Sequence, residues 1–274
     1  MRAALGTLRG AALLAYLVFA LFPLFWLLRI ALTPDRLLFS EGTTLWPSQI
    51  TFENFAFVLE RSPFPTFFLN TVIVSLGTAA AVTVLASGVG YAFSRFAFRG
   101  KRVLMVLLVI TQLFPLVMVI TPLYQLLAPL GLVNSLTGLI VVFTAFNLPF
   151  AAFLMHSFFE GIPRELEQAA MIDGCNRFQA LIRIILPLML PGIGATLGFV
   201  FTAAWSELLF SLMLITSDAK KTFSVGLLSF IGRTGVDWGH MMAAATLALI
   251  PPAIFFTFIQ RYLVSGLTAG AVKA

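Results

Sequence analysis

Long apolar runs separated by short polar stretches fill the 274 residues, and the runs are longer than soluble core helices require. The first covers about Ala11 to Ile30, the second about Phe67 to Phe93 and the last about Met241 to Gln260. Each is close to or above the roughly 20 apolar residues a helix needs to cross a ~30 Å hydrocarbon core. Between Val103 and Phe159 there is no Asp, Glu, Lys or Arg over 57 residues. One helix of that length would be roughly 85 Å long, so the segment must fold into a pair of spans. Pro129, Gly131, Asn134 and Ser135 supply turn residues, which predicts spans over about 103–127 and 136–159. A further run covers about 184–215, where Pro187, Pro191, Gly192 and Gly194 predict a tilt or kink near its start. The expected fold is an all-α integral membrane protein, a single domain over residues 1–274 with six transmembrane helices.

The polar connections carry their own patterns. In 31–66, Phe52, Phe55, Ala56 and Leu59 predict a short helix lying at the membrane surface. Gly77, Ala79, Ala80, Ala81, Ser87, Gly88 and Gly90 in the second run permit close helix packing in lipid. The longest charged stretch is Glu160 to Pro191. Pro163 suits a first helical turn, after which Leu166, Ala169 and Ala170 share one face. Asp173-Gly174 ends that helix and Asn176 caps the next, whose apolar face is Phe178, Leu181, Ile182 and Ile185. The stretch is therefore a helix, turn and helix between spans.

Composition agrees: 60% apolar, 10% charged and a mean hydropathy of +1.01, against about 25% charged in an ordinary soluble domain. The net charge of +6 matters through its distribution. With both termini inside, Arg2, Arg9, Arg95, Arg99, Lys101, Arg102, Arg164, Arg177, Arg183, Arg261 and Lys273 lie inside, eleven basic residues against six outside. That asymmetry follows the positive-inside rule and places the helix pair in the cytoplasm. Residues 10–28 are uncharged and continue through Phe22-Pro23-Leu24-Phe25-Trp26 without a cleavage site, so the first run reads as an uncleaved span rather than a signal peptide. A DNA-binding helix-turn-helix has the same local outline, but flanking spans argue against it. A plain interfacial helix pair is the other local reading.

Gln168-Ala169-Ala170, Gly174, Ile184, Leu186 and Pro187 resemble the E-A-A-x-x-x-G motif and following I-x-L-P of membrane subunits in binding-protein-dependent ABC importers. The family's motif acid is Gln168 here, with Glu167 just before it. Ala204-Trp205-Ser206-Glu207, Thr222 to Leu227, Gln260-Arg261-Tyr262 and Gly266 to Lys273 resemble the smaller, six-span permease of maltose-type carbohydrate uptake. The resemblance implies a cytoplasmic coupling pair between spans 4 and 5 that docks on an ATPase through Leu166, Glu167, Gln168, Ala169, Ala170, Asp173 and Gly174. An ion pair to that ATPase would have to come from Glu167, or a hydrogen bond from Gln168 would have to serve. It also implies a second permease, two ATPase subunits carrying ATP and Mg, an extracytoplasmic solute-binding protein and a carbohydrate cargo, with no cofactor on this chain. The loop 217–240 would reach toward the binding protein and residues 266–274 toward the ATPase.

The chain itself has no phosphate loop: before Gly100-Lys101, Arg95 stands where the first Gly belongs, and Arg102 follows the Lys. Nothing suggests a hydrolase, since the only histidines, His156 and His240, fall at opposite membrane faces in this topology. The single Cys175 makes neither an internal disulfide nor, without nearby histidines, a metal site. An ion-coupled secondary transporter remains the alternative, and Glu207 is its one candidate intramembrane acid. Glu207, Trp205 and Ser206, with Gln112 and Asn147, are candidate pathway residues; bonds between helices are the competing role for the polar ones.

Overall fold

The computed structural model describes residues 2–233 and 235–271, with side chains over 6–233 and 235–260. The chain is mostly helical. Helix α1 is Arg2–Ala31, α2 is Phe64–Arg95, α3 is Lys101–Thr111, α4 is Leu116–Leu127 and α5 is Leu136–Glu160. The polar pair follows as α6, Arg164–Ile172, and α7, Arg177–Leu188. After it come α8, Leu190–Trp205, α9, Leu209–Leu214, α10, Phe223–Leu227, and α11, Trp238–Ala271. Two-residue strands, β1 (Ile231–Gly232) and β2 (Gly235–Val236), pair antiparallel just before α11.

Four helices among the described residues are long and apolar enough to cross a membrane, or up to six spans if each bent pair counts as one. The expected span 103–127 is not straight: α3 and α4 meet at 102°. Pro115 forces this, because it has no N–H to continue α3 and pushes Phe114 away from helical geometry. The expected span 184–215 is interrupted twice. A 72° bend separates α7 from α8 at Met189, between Pro187 and Pro191, and the chain leaves helix again between Trp205 and Leu209. The turn between α4 and α5 falls where Pro129 to Ser135 predicted it, with Asn134 at φ 54° and Ser135 capping α5.

Helix α2 is the middle of the bundle, packed against α5 and α8; α8 packs on α11, and α1 touches the rest through α11. Gly90 makes the α2–α5 contact close, since a Cβ there would lie 2.8 Å from the Met155 Cβ and the His156 nitrogen. Gly88 and Ala80, read from the sequence as packing residues, face outward instead. The predicted surface helix is a single turn, Glu53–Ala56, continued by a wide turn over Phe57–Arg61. It buries Asn54 and Val58 rather than Phe52 and Leu59, because Asn54 donates to the Ala31 and Thr33 carbonyls at the end of α1. Lys273 and the end of the basic tail lie outside the described residues, and the rest of 266–274 lacks described side chains.

Candidate functional site

The helix pair α6–α7 is built locally as its sequence demands. Pro163 stands at the N-cap position of α6, one residue before the helix, in extended geometry. Gly174 takes φ +91°, a conformation a residue with a Cβ reaches only at a cost, and lets the chain reverse after Asp173. Asn176 accepts from the Gln179 amide at 2.8 Å while Gln179 accepts from the Asn176 amide at 2.9 Å, a closed capping box. Leu181–Ile185 then widens into a π turn. The extra residue rotates the pattern, so the predicted face of α7 splits: Ile185 is fully buried, whereas Phe178 and Ile182 point outward.

On α6 the predicted apolar face also turns out differently. Leu166 and Ala169 are exposed, and with Ile172 and Phe178 they form an apolar shelf on the outside of the pair. Ala170 and Glu167 face inward. Glu167 is the surprise, a carboxylate only 7% exposed. Tyr91 donates its hydroxyl to Oε1 at 2.6 Å, and the Arg95 guanidinium lies 3.2 Å from Oε2. Arg177 comes to 3.8 Å from Oε1 while lying over the Phe96 ring. Arg95 also donates to the Ile162 carbonyl at 2.9 Å, and Arg164 donates to the Ser94 carbonyl at 2.6 Å. The last turn of α2 is thereby bonded to both ends of the turn that starts α6. Gln168 is exposed, as are Asp173 and Gly174.

Tyr91 and Arg95 had no place in the sequence reading beyond a basic cluster at the end of a span. Their spacing of four at a helix end, on one face, was the available signal. Of the two contacts to an ATPase that the sequence left open, an ion pair from Glu167 or a hydrogen bond from Gln168, the first involves a carboxylate that is already engaged inside the chain.

The pathway candidates do not form one cluster. Trp205 is a core residue, enclosed by Phe68, Phe201 and Phe223 with ring centroids 5.2–5.7 Å away. Ser206 is exposed and bonds back to Thr202. Glu207 accepts from the amides of Phe210 (2.9 Å) and Ser211 (3.2 Å) and from the Ser211 hydroxyl, so its charge caps the start of α9. Gln112, at the α3–α4 break, donates to the Phe146 carbonyl at 3.2 Å, and Asn147 donates to Phe143 in its own helix. Phe146 in turn lies 4.8 Å from Phe210. Gln112 and Glu207 are thus linked indirectly, through the Phe146–Phe210 ring contact, with Asn147 next to Phe146 in sequence.

Beyond the opposite end of α2, Asp35, Asp237 and His240 bring donor atoms within 4.8 Å of one another. Within this group the His240 Nδ1 lies 2.6 Å from Asp237 and the His240 ring packs on Phe57. Burial raises the Asp35 carboxyl above its ordinary range, with His240 opposing the rise.

Comparison with known proteins gives these features a context. Residues 83–269 match the family model for binding-protein-dependent transport system inner membrane components. The chain is 36% identical to the diacetylchitobiose uptake system permease protein DasC of Streptomyces coelicolor, covering 92% of this chain and 91% of that one. It is 34% identical to the trehalose/maltose transport system permease protein MalG of Thermococcus litoralis, covering 96% and 95%. Identity is also 34% to the sulfoquinovosyl glycerol transport system permease protein SmoH of Agrobacterium fabrum, covering 97% and 93%. A chain in the crystal structure of a bacterial ABC transporter that imports the acidic polysaccharide alginate superposes with a TM-score of 0.81 over 95% of this chain and 97% of its own, at 22% identity.

Proposed function

This chain belongs to the binding-protein-dependent transport system inner membrane component family, and from that premise we propose that it forms half of the pathway of an ABC importer for a sugar, oligosaccharide, polyol or sugar derivative. Relatives named for diacetylchitobiose, trehalose/maltose and sulfoquinovosyl glycerol uptake support that cargo class. Family membership displaces the ion-coupled alternative, and Glu207, tied to a helix start, offers no free acid to couple an ion.

In this reading α3–α4 and α7–α8 each make one bent span, giving six, with both termini cytoplasmic. The chain pairs with a second permease, two ATPase subunits that hold ATP and Mg, and an extracytoplasmic binding protein. The observation that carries the coupling role is the apolar shelf of Leu166, Ala169, Ile172 and Phe178, held outward on a capped and buried-charge-anchored helix pair. Apolar side chains pointing away from their own bundle on a polar helix pair need a partner. Burying a Leu, Ile or Phe there contributes roughly 1.5–3 kcal/mol. Gln168, Asp173 and Gly174 lie on the same exposed side, and Ala170 and Glu167 hold the pair to the bundle. ATP-driven closure of the ATPases would then shift α6–α7 and switch the spans between two arrangements.

The test is co-purification of the tagged chain from its native membrane in mild detergent. Recovery of a phosphate-loop ATPase, a second permease and a binding protein is expected, and the binding protein then identifies the cargo by direct titration with sugars. Recovery of the chain alone, under conditions that keep a known importer intact, would overturn the reading.

A further inference from the structure

We infer that Glu167 is a positioning residue, the internal strut through which movement of α6–α7 reaches α2, and that it makes no contact with the ATPase. The inference rests on the docking role proposed above. Three helices meet at this one carboxylate. Tyr91 and Arg95 come from the last turns of α2, Arg177 from the first turn of α7, and Glu167 itself from the middle of α6. Arg95 reaches past it to the Ile162 carbonyl, in the turn that joins α5 to α6. Arg164 closes the ring from the other side by bonding the Ser94 carbonyl.

Such a joint is stiff in both directions. Pulling α6 away from α2 would part a buried carboxylate from a guanidinium whose side chain is only 5% exposed, leaving Arg95 without its counter-charge and Glu167 with only the more distant Arg177. The helices therefore move together or not at all. Helix α2 passes the displacement on through Gly90, where its backbone lies against Met155 and His156 of α5. The edge-on contact of the Tyr91 ring with Phe159, centroids 5.6 Å apart, adds a second bearing on α5.

This geometry also gives meaning to the neutral residue at the motif position. One residue turns a helix by about 100°, so Glu167 and Gln168 cannot face the same way. Gln168 is exposed on the shelf side and Glu167 is buried on the bundle side. Facing the partner and gripping the bundle are separate tasks here, performed by adjacent residues.

The test uses the complete co-purified transporter in lipid nanodiscs and needs no knowledge of the cargo. With Cys175→Ser as background, Ile231→Cys places a reporter thiol on the exposed β1–β2 hairpin, and its reaction rate with a soluble maleimide is measured with and without ATP plus vanadate. Glu167→Gln is expected to retain the ATPase at the unmutated level and to lose the nucleotide-dependent change in rate. Tyr91→Phe, which keeps every charge, should roughly halve that change through loss of one hydrogen bond. Arg95→Lys, which keeps the ion pair, should preserve most of it. Loss of the ATPase from Glu167→Gln, with the permease still folded, would overturn the inference by putting Glu167 in the docking contact. An unaltered rate change in Glu167→Gln would overturn it equally. Should Glu167→Gln fail to accumulate, the Tyr91→Phe comparison carries the test, and an unchanged response there overturns the strut. An unmutated transporter with no ATPase, or no nucleotide response, would overturn the docking reading instead.

Discussion

The α6–α7 joint and the loop after α9 are fastened by different chemistry. At the joint the fastening is a buried ion pair, Glu167 with Arg95, supported by Tyr91. The loop after α9 is fastened mainly by neutral groups, with Lys220 Nζ adding one charged donor to the Asn134 carbonyl at 2.8 Å. Asn134 Oδ1 accepts from the amides of Thr216 and Ser217 at 3.2 and 3.1 Å, and Asn70 donates to the carbonyls of Ala219 and Lys221 at 2.9 and 3.0 Å. Thr71 accepts from the Phe223 amide at 2.8 Å. A buried ion pair concentrates its hold at one point and fails abruptly when a partner is lost. Neutral bonds spread over several backbone groups give way piecemeal, each contributing about 0.5–1.5 kcal/mol. The first arrangement suits a joint that must carry a force, and the second a loop that must keep its shape.

Replacing one partner of the ion pair tests that contrast most severely. Arg95→Ala should lower stability by up to about 3–5 kcal/mol because it leaves the buried Glu167 carboxylate with only Tyr91 and the half-exposed Arg177, seen as a fall in the unfolding midpoint of the purified protein in detergent. A fall no larger than that of an exposed substitution would erase the distinction between the joint and the loop. Asn70→Ala removes two bonds from the loop and should cost about 1–3 kcal/mol. Proteolysis of the 216–222 loop should quicken in that variant while ATPase binding stays as it was.

Gly174→Val sharpens the comparison within the charged joint. No atom lies within 4 Å of the added Cβ, so the cost is that of φ +91° alone, about 1–2 kcal/mol. The chain should still reach the membrane, yet uptake should be abolished as the turn that presents the shelf is displaced. Normal uptake by this variant would remove Gly174 from the coupling role. The smallest effect on stability belongs to Gln168→Glu, below about 0.5 kcal/mol because the side chain is exposed. A change in ATPase retention without a change in unfolding midpoint would mark position 168 as a partner contact.

Much of this molecule was legible before any coordinates. The apolar runs, the turn at Pro129 to Ser135, the reversal at Asp173-Gly174 and the Asn176 cap are set by neighbours in sequence, since each depends on residues within one or two helical turns. The E-A-A-like motif was readable for the same reason. Pro115 carries the local signal for the bend between α3 and α4, as Pro187 and Pro191 do for the kink between α7 and α8.

What only the tertiary structure decided is which way side chains face once helices pack. Glu167 looked available to a partner because charge on a short amphipathic helix is ordinarily solvated. Its partners inside the chain, Arg95 and Tyr91, lie on α2, with Tyr91 76 residues earlier, and no local pattern relates them to it. Trp205 and Glu207 sit two residues apart but serve different neighbours, one enclosed by α2 and α10 aromatics and the other capping α9. Sequence by itself determined the elements, their order and the family, because hydrophobic length and turn chemistry are local. Packing decided the joint, because a charge is buried only where a distant opposite charge has been brought to meet it.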